Sequence, residues 1–143
     1  MKPSRPYIAR ALFEWILDND LTPYVLVDAT RDYVAVPLQF VEDGQIVLNL
    51  APSAVRDFYI GDDAITFNAR FSGQPMDVYL PMSSLLAIYA RENGQGMGFG
   101  AEPGAEAYMQ EQESGSPAND VDDAIEKPAV KPEKKKPSLK VVK

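Results

Sequence analysis

The side chains of this sequence that could do chemistry are few, and most of them are carboxylates. The 143 residues include neither cysteine nor histidine, which excludes thiol catalysis, serine-histidine nucleophiles and Cys/His metal sites. Two tight acidic groups stand out, Asp62-Asp63 and the pair Asp18 and Asp20. A paired-carboxylate hydrolase or a calcium loop needs further oxygen ligands at regular spacing, and the flanking residues do not supply them. We therefore predict turns or helix ends at these positions, no enzymatic activity, no metal and no cofactor.

The glycine-rich segment at residues 94–100 is the other candidate for chemistry. A phosphate-binding loop opens a helix and ends in Gly-Lys-Ser/Thr, whereas this segment follows a predicted helix and lacks that ending. We interpret it as a flexible exit from the folded region.

Two predicted strands break the usual alternation of buried and exposed side chains. Residues 46–51 are apolar on both faces except for Asn49, and in residues 65–71 the polar face carries Asn68 and Arg70. Such strands can line a groove for an extended peptide. The alternative is that the phenylalanines belong to the core and that Asn68 and Arg70 are merely exposed, and the pattern alone leaves both readings open.

The elements that would position these residues follow from the hydrophobic period. Residues 6–20 have apolar side chains at helical spacing, and Pro23 ends that helix. The period then changes to two, which predicts strands over residues 24–30, 33–41, 46–50, 58–60, 64–71 and 76–80. Residues 82–94 predict a second helix. Successive strands with flanking helices predict a mainly β, α+β fold with a small, strongly bent antiparallel sheet that is β-barrel-like.

The first helix is apolar on more than one side. Ile8, Leu12, Trp15 and Ile16 are candidates for a dimer interface, because so apolar a helix must bury two sides. The equally open alternative is that all of them pack inside their own chain.

The chain changes character near residue 94. The remainder is rich in Gly, Pro and Ser, with eight acidic and no basic residues from 101 to 126, then seven lysines and one glutamate from 127 to 143. Such composition cannot bury enough apolar surface to offset the entropy of ordering it. We predict a disordered tail.

Charge narrows the class of partner. The net charge is −7, and counterion release on nucleic acid needs clustered Lys and Arg, so DNA is a poor candidate partner. The sequence contains neither an 18-residue apolar run nor a readable secretory leader, so we expect no membrane association and a cytoplasmic protein.

Four strings carry a resemblance to a known family: RPYIARALFEWILDNDLTPYVLVDAT, VPLQFVEDGQIVLNLAP, FNARF and LAIYARENG, followed by an acidic tail that ends in PSLKVVK. In this order they closely resemble stringent starvation protein B, the family of ClpXP protease adaptors. The resemblance covers nearly all of residues 5–94 and resumes at the terminus. It implies a bent, β-barrel-like body that dimerises through its N-terminal helix and binds the ssrA tag of polypeptides from stalled ribosomes.

The resemblance also divides the chain into working parts. It implies a substrate-binding domain at residues 1–94, a linker at 95–137 and a terminal peptide at 138–143 that docks on the N-terminal zinc-binding domain of ClpX, so that the zinc belongs to the partner. Ribosome association is a further expectation. Family motif and face pattern together give the peptide-binding residues as Val47, Asn49, Ala51, Phe67, Ala69, Arg70 and Phe71. The ClpX-binding residues would be Leu139, Lys140, Val141, Val142 and Lys143.

Two other functions stay in view. A small bent β-barrel could be an RNA-binding module of the Sm-like kind, although residues 1–100 carry 12 acidic against 7 basic residues. A structural interaction protein whose tail tethers it to an assembly is the second alternative.

Overall fold

The computed structural model describes residues 1–109. Residues 1–105 contain one α-helix, seven strands and two short 3-10 helices. Helix α1 spans Arg5–Asp18, and strands β1 to β7 span Pro23–Asp28, Gln45–Asn49, Val55–Ile60, Ala64–Phe71, Gln74–Pro81, Leu85–Ala90 and Gly96–Gly98. The 3-10 helices cover Leu38–Phe40 and Met82–Ser84. The chain divides into two compact units, Met1–Ala105 and Glu106–Lys143, and all of these elements lie in the first.

The strands form two antiparallel sheets. The first has the order β2-β1-β6-β7 and the second the order β3-β4-β5. The predicted mainly β class with an N-terminal helix is confirmed. The core draws on α1 and on both sheets, because each contributes side chains with almost no exposure: Ala9, Ile16, Val25, Val27, Ile65, Leu80 and Ile88.

Local sequence signals fix both ends of α1. Pro6 lies in the first turn, where its missing N–H costs nothing. At the other end Asp20 adopts a left-handed backbone with φ of 59°, and the N–H groups of Asp20 and Leu21 donate to the carbonyls of Leu17 and Ile16. This is the Schellman arrangement, so the prediction of a helix end around Asp18 and Asp20 is confirmed.

Turn chemistry was also predicted correctly. Asp43 and Gly44 have φ of 53° and 77°, as the two central residues of a type I′ hairpin turn require, and they precede β2 directly. Asp62 and Asp63 connect β3 to β4, with the Gly61 N–H donating to the Ala64 carbonyl at 2.9 Å. The hydrogen bond from Arg10 lowers the pKa of Asp62, which makes this carboxylate part of a structural contact.

The predicted second helix over residues 82–94 is wrong. Residues Met82–Ser84 form a 3-10 turn, and Leu85–Ala90 is strand β6, which lies between β1 and β7. The register of β6 on β1 shifts between Leu26 and Val27, and this bulge spaces the buried side chains of β6 at Leu85, Ile88 and Ala90. Buried residues three positions apart, such as Leu85 and Ile88, are also typical of one face of a helix, which is why periodicity predicted a helix here.

Two further predictions are wrong for reasons of backbone chemistry. The predicted strand over residues 33–41 is reduced to one bridge between Ala35 and Tyr79, followed by the 3-10 helix Leu38–Phe40. Pro37 has no N–H with which to continue a ladder. The glycine-rich segment is not a free exit either, because Gly96–Gly98 forms β7 on β6. The first compact unit accordingly extends past Gly94 to Ala105.

Candidate functional site

The edges of a sheet are its natural sites for a further strand, and in the second sheet each edge strand already has one contact from another part of the chain. On β3, the Arg10 Nε donates to the Ile60 carbonyl at 2.9 Å, and the ring of Phe13 stacks on Phe58 with centroids 4.6 Å apart. On β5, Ala35 and Tyr79 exchange two backbone hydrogen bonds of 2.9 and 3.1 Å. These contacts occupy the backbone of Ile60 and Tyr79 and so leave less of these two edges available for pairing.

Strand β2 lies at one end of the first sheet and pairs with β1 along its length. On its other side, among the described residues, only Gln45 is bonded, through two backbone hydrogen bonds of 2.8 and 2.9 Å with Glu42. The bonds from Leu50 N–H to Pro23 O and from Ala29 N–H to Gly44 O fix the alternation of the ladder. The backbone N–H and C=O groups of Ile46 and Leu48 therefore point toward β1, and those of Val47 and Asn49 point away from it. We call this part of β2 the open edge.

The side chains at the open edge are apolar and amide. Val47 is 45% exposed and lies opposite the half-buried Leu26. The Asn49 Oδ1 accepts a hydrogen bond from the Ala51 N–H at 2.8 Å, which rigidifies the exit from β2. Val47, Asn49 and Ala51, three of the predicted peptide-binding residues, therefore lie together on one short stretch of chain.

Three other predicted residues share one face of β4. Phe67 is buried at 4% exposure, Ala69 and Phe71 are half-buried, and the same face is completely covered at Ile65. Coverage of this face therefore decreases along β4 toward Phe71. Phe67 belongs to the core, as the alternative reading of the sequence held.

The half-covered end of this face is lined by residues of neighbouring elements. Val55 of β3 and Met76 of β5 lie directly opposite Ala69, and both are half-buried. Phe40 of the first 3-10 helix lies 6.1 Å from Phe71, centroid to centroid. We call the surface formed by Ala69, Phe71, Val55, Met76 and Phe40 the β4 apolar face.

Arg70 points away from that face. It alternates with Ala69 and Phe71 along β4, it is exposed, and its Nη1 donates to the Gly73 carbonyl at 3.0 Å. The structure thus separates Arg70 from the apolar residues with which it was grouped.

Chain continuity brings the open edge near the β4 apolar face. The Ala54 N–H donates to the Ala51 carbonyl at 2.8 Å, so residues 51–54 form a tight turn. Val55 follows at once and pairs with Ala69. The Cα atoms of Ala51 and Ala69 are therefore separated by at most about 16 Å, a span that about five residues of extended peptide can bridge.

Sequence reasoning missed Phe40, Val55 and Met76. Their positions opposite Ala69 and beside Phe71 depend on strand register and on a 3-10 turn, neither of which a period reveals. The predicted turn at Ser72-Gly73 could have found Met76, because a two-residue hairpin there places residue 76 opposite residue 69.

The charged residues of the IYARENG string have a structural role. Glu92 accepts hydrogen bonds from the backbone N–H and the hydroxyl of Thr22, at 2.9 and 2.7 Å. These bonds lower the pKa of Glu92 to about 2. They tie the turn after β6 to the residue before β1.

The predicted dimer residues face in different directions. Leu12 and Ile16 are buried in their own chain, at 8% and 1% exposure, and Ile8 is half-buried. Trp15 is 49% exposed and shares the outer side of α1 with Tyr7. A second copy would thus meet Trp15 and Tyr7 rather than Leu12 and Ile16.

Two features are absent from residues 1–109. That part of the chain holds no group of three or more acidic, histidine or cysteine side chains placed to bind a metal ion. None of its helices combines the length and the apolar character needed to span a bilayer. The predicted ClpX-binding residues Leu139, Lys140, Val141, Val142 and Lys143 lie outside the described residues.

Comparison with known proteins gives a consistent result. The family described as stringent starvation protein B matches residues 3–143. A stringent starvation protein B homolog of Haemophilus influenzae is 46% identical over 134 residues, which are 94% of this chain and 89% of that protein. The chain is therefore a member of the stringent starvation protein B family.

Proposed function

We propose that this protein is a non-enzymatic adaptor that binds ssrA-tagged polypeptides from stalled ribosomes and delivers them to the ClpXP protease. The observation that carries the proposal is the open edge of β2, which the turn at residues 51–54 joins to Val55 at the border of the β4 apolar face, in a member of this family. An edge strand offers main-chain hydrogen bonds to an extended peptide whatever its side chains are. The neighbouring apolar face would then select among peptides.

In this proposal the backbone of β2 binds the tag and the β4 apolar face selects its side chains. The tag hydrogen-bonds to Val47 and Asn49, and one or two of its apolar side chains lie over Ala69 and Phe71. Ala69 is the smallest side chain on the β4 apolar face, and a small residue there leaves room for a bound chain. Arg70, on the other side of β4, is then left with a role at the rim, where it would attract an acidic peptide over longer range.

Delivery is assigned to the terminal residues 138–143. Leu139, Val141 and Val142 are apolar side chains among lysines, and the proposed partner surface is the N-terminal domain of ClpX. A tether raises the local concentration of a weakly held substrate to about the millimolar range, so that two weak contacts multiply. A homodimer formed through the outer side of α1 would carry two tails and double this effect.

The alternative of an RNA-binding module has weaker support. Basic residues among positions 1–100 number 7 against 12 acidic ones, and several are held in ion pairs, such as Arg10 with Asp62 and Arg5 with Glu102. Clustered free cations are the physical requirement for phosphate binding. RNA binding with a steep salt dependence would favour this alternative over the adaptor.

The proposal is tested by titrating a fluorescent ssrA peptide against wild type, Ala69→Gln and Thr66→Gln. Ala69→Gln extends into the β4 apolar face and should weaken binding roughly 10- to 100-fold, equivalent to losing about 1.5–3 kcal/mol of apolar burial. Thr66 is half-buried on the opposite face of β4, which makes Thr66→Gln the matched control with unchanged affinity. Both melting temperatures should stay close to that of wild type. Absence of tag binding by the wild type would refute the adaptor function.

A further inference from the structure

The first residue of α1 is a buried arginine with an unusual set of partners. The Arg5 Nε donates to the Glu102 Oε2 at 2.7 Å, and its Nη1 donates to the Met82 carbonyl at 2.9 Å. The guanidinium carbon lies 5.3 Å from the ring centroid of Phe99. Both side chains of the ion pair are only 5% exposed. Arg5 thus joins the start of α1 to residues that follow β7.

Glu102 also accepts hydrogen bonds from backbone N–H groups of its own segment. Its Oε1 accepts a hydrogen bond from the Gly100 N–H at 2.6 Å, and its carbonyl accepts one from the Ala105 N–H at 3.0 Å. Burial favours the neutral acid, but the hydrogen bonds from Arg5 and Gly100 outweigh it and lower the pKa of Glu102. The carboxylate is therefore charged and fully engaged.

A second set of contacts lies beside the ion pair. The Ser4 N–H donates to the Pro103 carbonyl at 3.2 Å, and the Ser4 hydroxyl bonds to the same oxygen. Gly104 has φ of +89°, and a Cβ on it would lie 2.7 Å from the Pro3 Cα. The two backbones approach so closely here that only glycine fits. We call Arg5, Phe99, Glu102 and the Ser4–Gly104 contact the clasp.

We propose that the clasp is the root of the C-terminal tail: it fixes residues 99–105 beside the N-terminal end of α1, so that the tail leaves the folded unit there and not at Gly94. The buried pair is the means, because removing one partner leaves the other charge uncompensated in a place that water does not reach. The fixed contacts themselves are independent of any function. Their significance for delivery rests on the proposed adaptor function, since the root sets the distance between the bound substrate and the point where the tail begins.

The position of the root has a physical consequence for a tethered receptor. Pro103 and Gly104, near the end of the first compact unit, contact Ser4 and Pro3. Residues 95–105 would add nothing to the reach of the tail, because they are bound along the body by β7 and the clasp. A force applied to the tail by a bound partner would therefore act on the Arg5–Glu102 ion pair and on the hydrogen bond from the Ser4 N–H to the Pro103 carbonyl.

The experiment is hydrogen exchange of the full chain, followed by mass spectrometry, for wild type, Glu102→Gln, Gly104→Ala and the control Glu106→Gln. Glu102→Gln removes the charge at constant size, and Gly104→Ala introduces the clash with Pro3. When the clasp opens, the Gly100 N–H loses its charge-assisted bond to the Glu102 carboxylate and the Ala105 N–H its bond to the Glu102 carbonyl. Both amides should therefore exchange at least about tenfold faster in both variants. Amides of β1 and β4 should keep their protection, which shows that the fold persists.

A second readout uses the absence of cysteine from the chain. A spin label on Ala101→Cys, an exposed position inside the clasp, should be restrained in wild type and become mobile with Glu102→Gln. Equal exchange of residues 99–105 in wild type and both variants, or a freely mobile label in wild type, would overturn the root. Tag binding is measured on the same samples: if wild type binds no tag, the adaptor function fails while the exchange data still support the clasp.

Discussion

Replacing Val47 by proline tests whether a peptide pairs with the open edge of β2. The N–H of Val47 points away from β1, so proline removes a donor that the fold does not use. The ring fixes φ near −65°, which an edge strand accommodates. The restriction that proline places on the preceding residue favours the extended backbone that Ile46 already has as part of β2. We therefore expect the protein to stay folded and to lose affinity for the tag.

The magnitude follows from one main-chain hydrogen bond. Such a bond contributes about 0.5–1.5 kcal/mol, which corresponds to roughly a 2- to 12-fold weaker affinity. The proline ring also blocks the close approach of a second backbone at about 4.8 Å, and this adds to the loss. We expect a combined decrease of at least about tenfold.

Two companion variants separate the causes. Val47→Ala keeps the N–H and trims the side chain, so it reports the apolar contact of Val47 alone. Leu48→Pro removes an N–H that faces β1 and should lower the melting temperature sharply, because Leu48 is buried and paired with Val25. The assay is fluorescence anisotropy of a labelled tag peptide, with thermal unfolding of each variant measured in parallel.

One combination of results would exclude peptide pairing with β2. If Val47→Pro is folded, with a melting temperature near that of wild type, and still binds the tag with unchanged affinity, then no peptide pairs with β2. A loss of binding in Val47→Ala equal to that in Val47→Pro would assign the contact to the side chain and leave the backbone without a part in it.

Two further predictions follow from the tail and from the clasp. Deletion of residues 138–143 should abolish stimulation of degradation by ClpXP and leave tag affinity unchanged, because the recognition residues all precede residue 80; persistent stimulation would contradict tethering. The pKa of Glu102 is depressed in the folded chain, so its contribution to stability is present above the pKa of an unfolded glutamate and is lost as the pH falls through the lowered value. Melting temperatures measured from pH 7 to pH 3 should therefore converge between wild type and Glu102→Gln at the acidic end, and a constant difference across that range would contradict the role of charge.

Local features of the fold could be predicted from the sequence. The start of α1, with Pro6 in its first turn, its end before the left-handed Asp20 and the hairpin turn at Asp43-Gly44 depend on a few adjacent residues whose backbone preferences are strong. Most strands could be predicted as well, because a sheet with one buried face imposes a period of two. The family could also be identified from short strings, since these contain both structural and surface residues.

For β6 and β7 the prediction failed because of a contact between distant parts of the chain. Strand β6 was predicted as a helix because a bulge opposite Leu26 and Val27 changes the spacing of its buried residues. Strand β7 consists of Gly-Met-Gly and has no pattern of its own, and it exists because β6 presents a free edge to it. Neither cause can be read from the segment itself.

The candidate site residues remain a prediction, and their arrangement comes from the fold. Val47, Asn49 and Ala51 lie along β2 and its exit, Phe67 is buried in the core, and Arg70 lies on the opposite face of β4 from Ala69. The sequence by itself determined which segments have apolar faces, where the chain turns and to which family it belongs. Only the folded structure shows that the backbone groups of Val47 and Asn49 point away from β1 and that Arg5 meets Glu102. The physical reason is that strand order, register and burial arise from pairing between residues tens of positions apart, whereas periodicity and turn preference act over a few neighbouring residues.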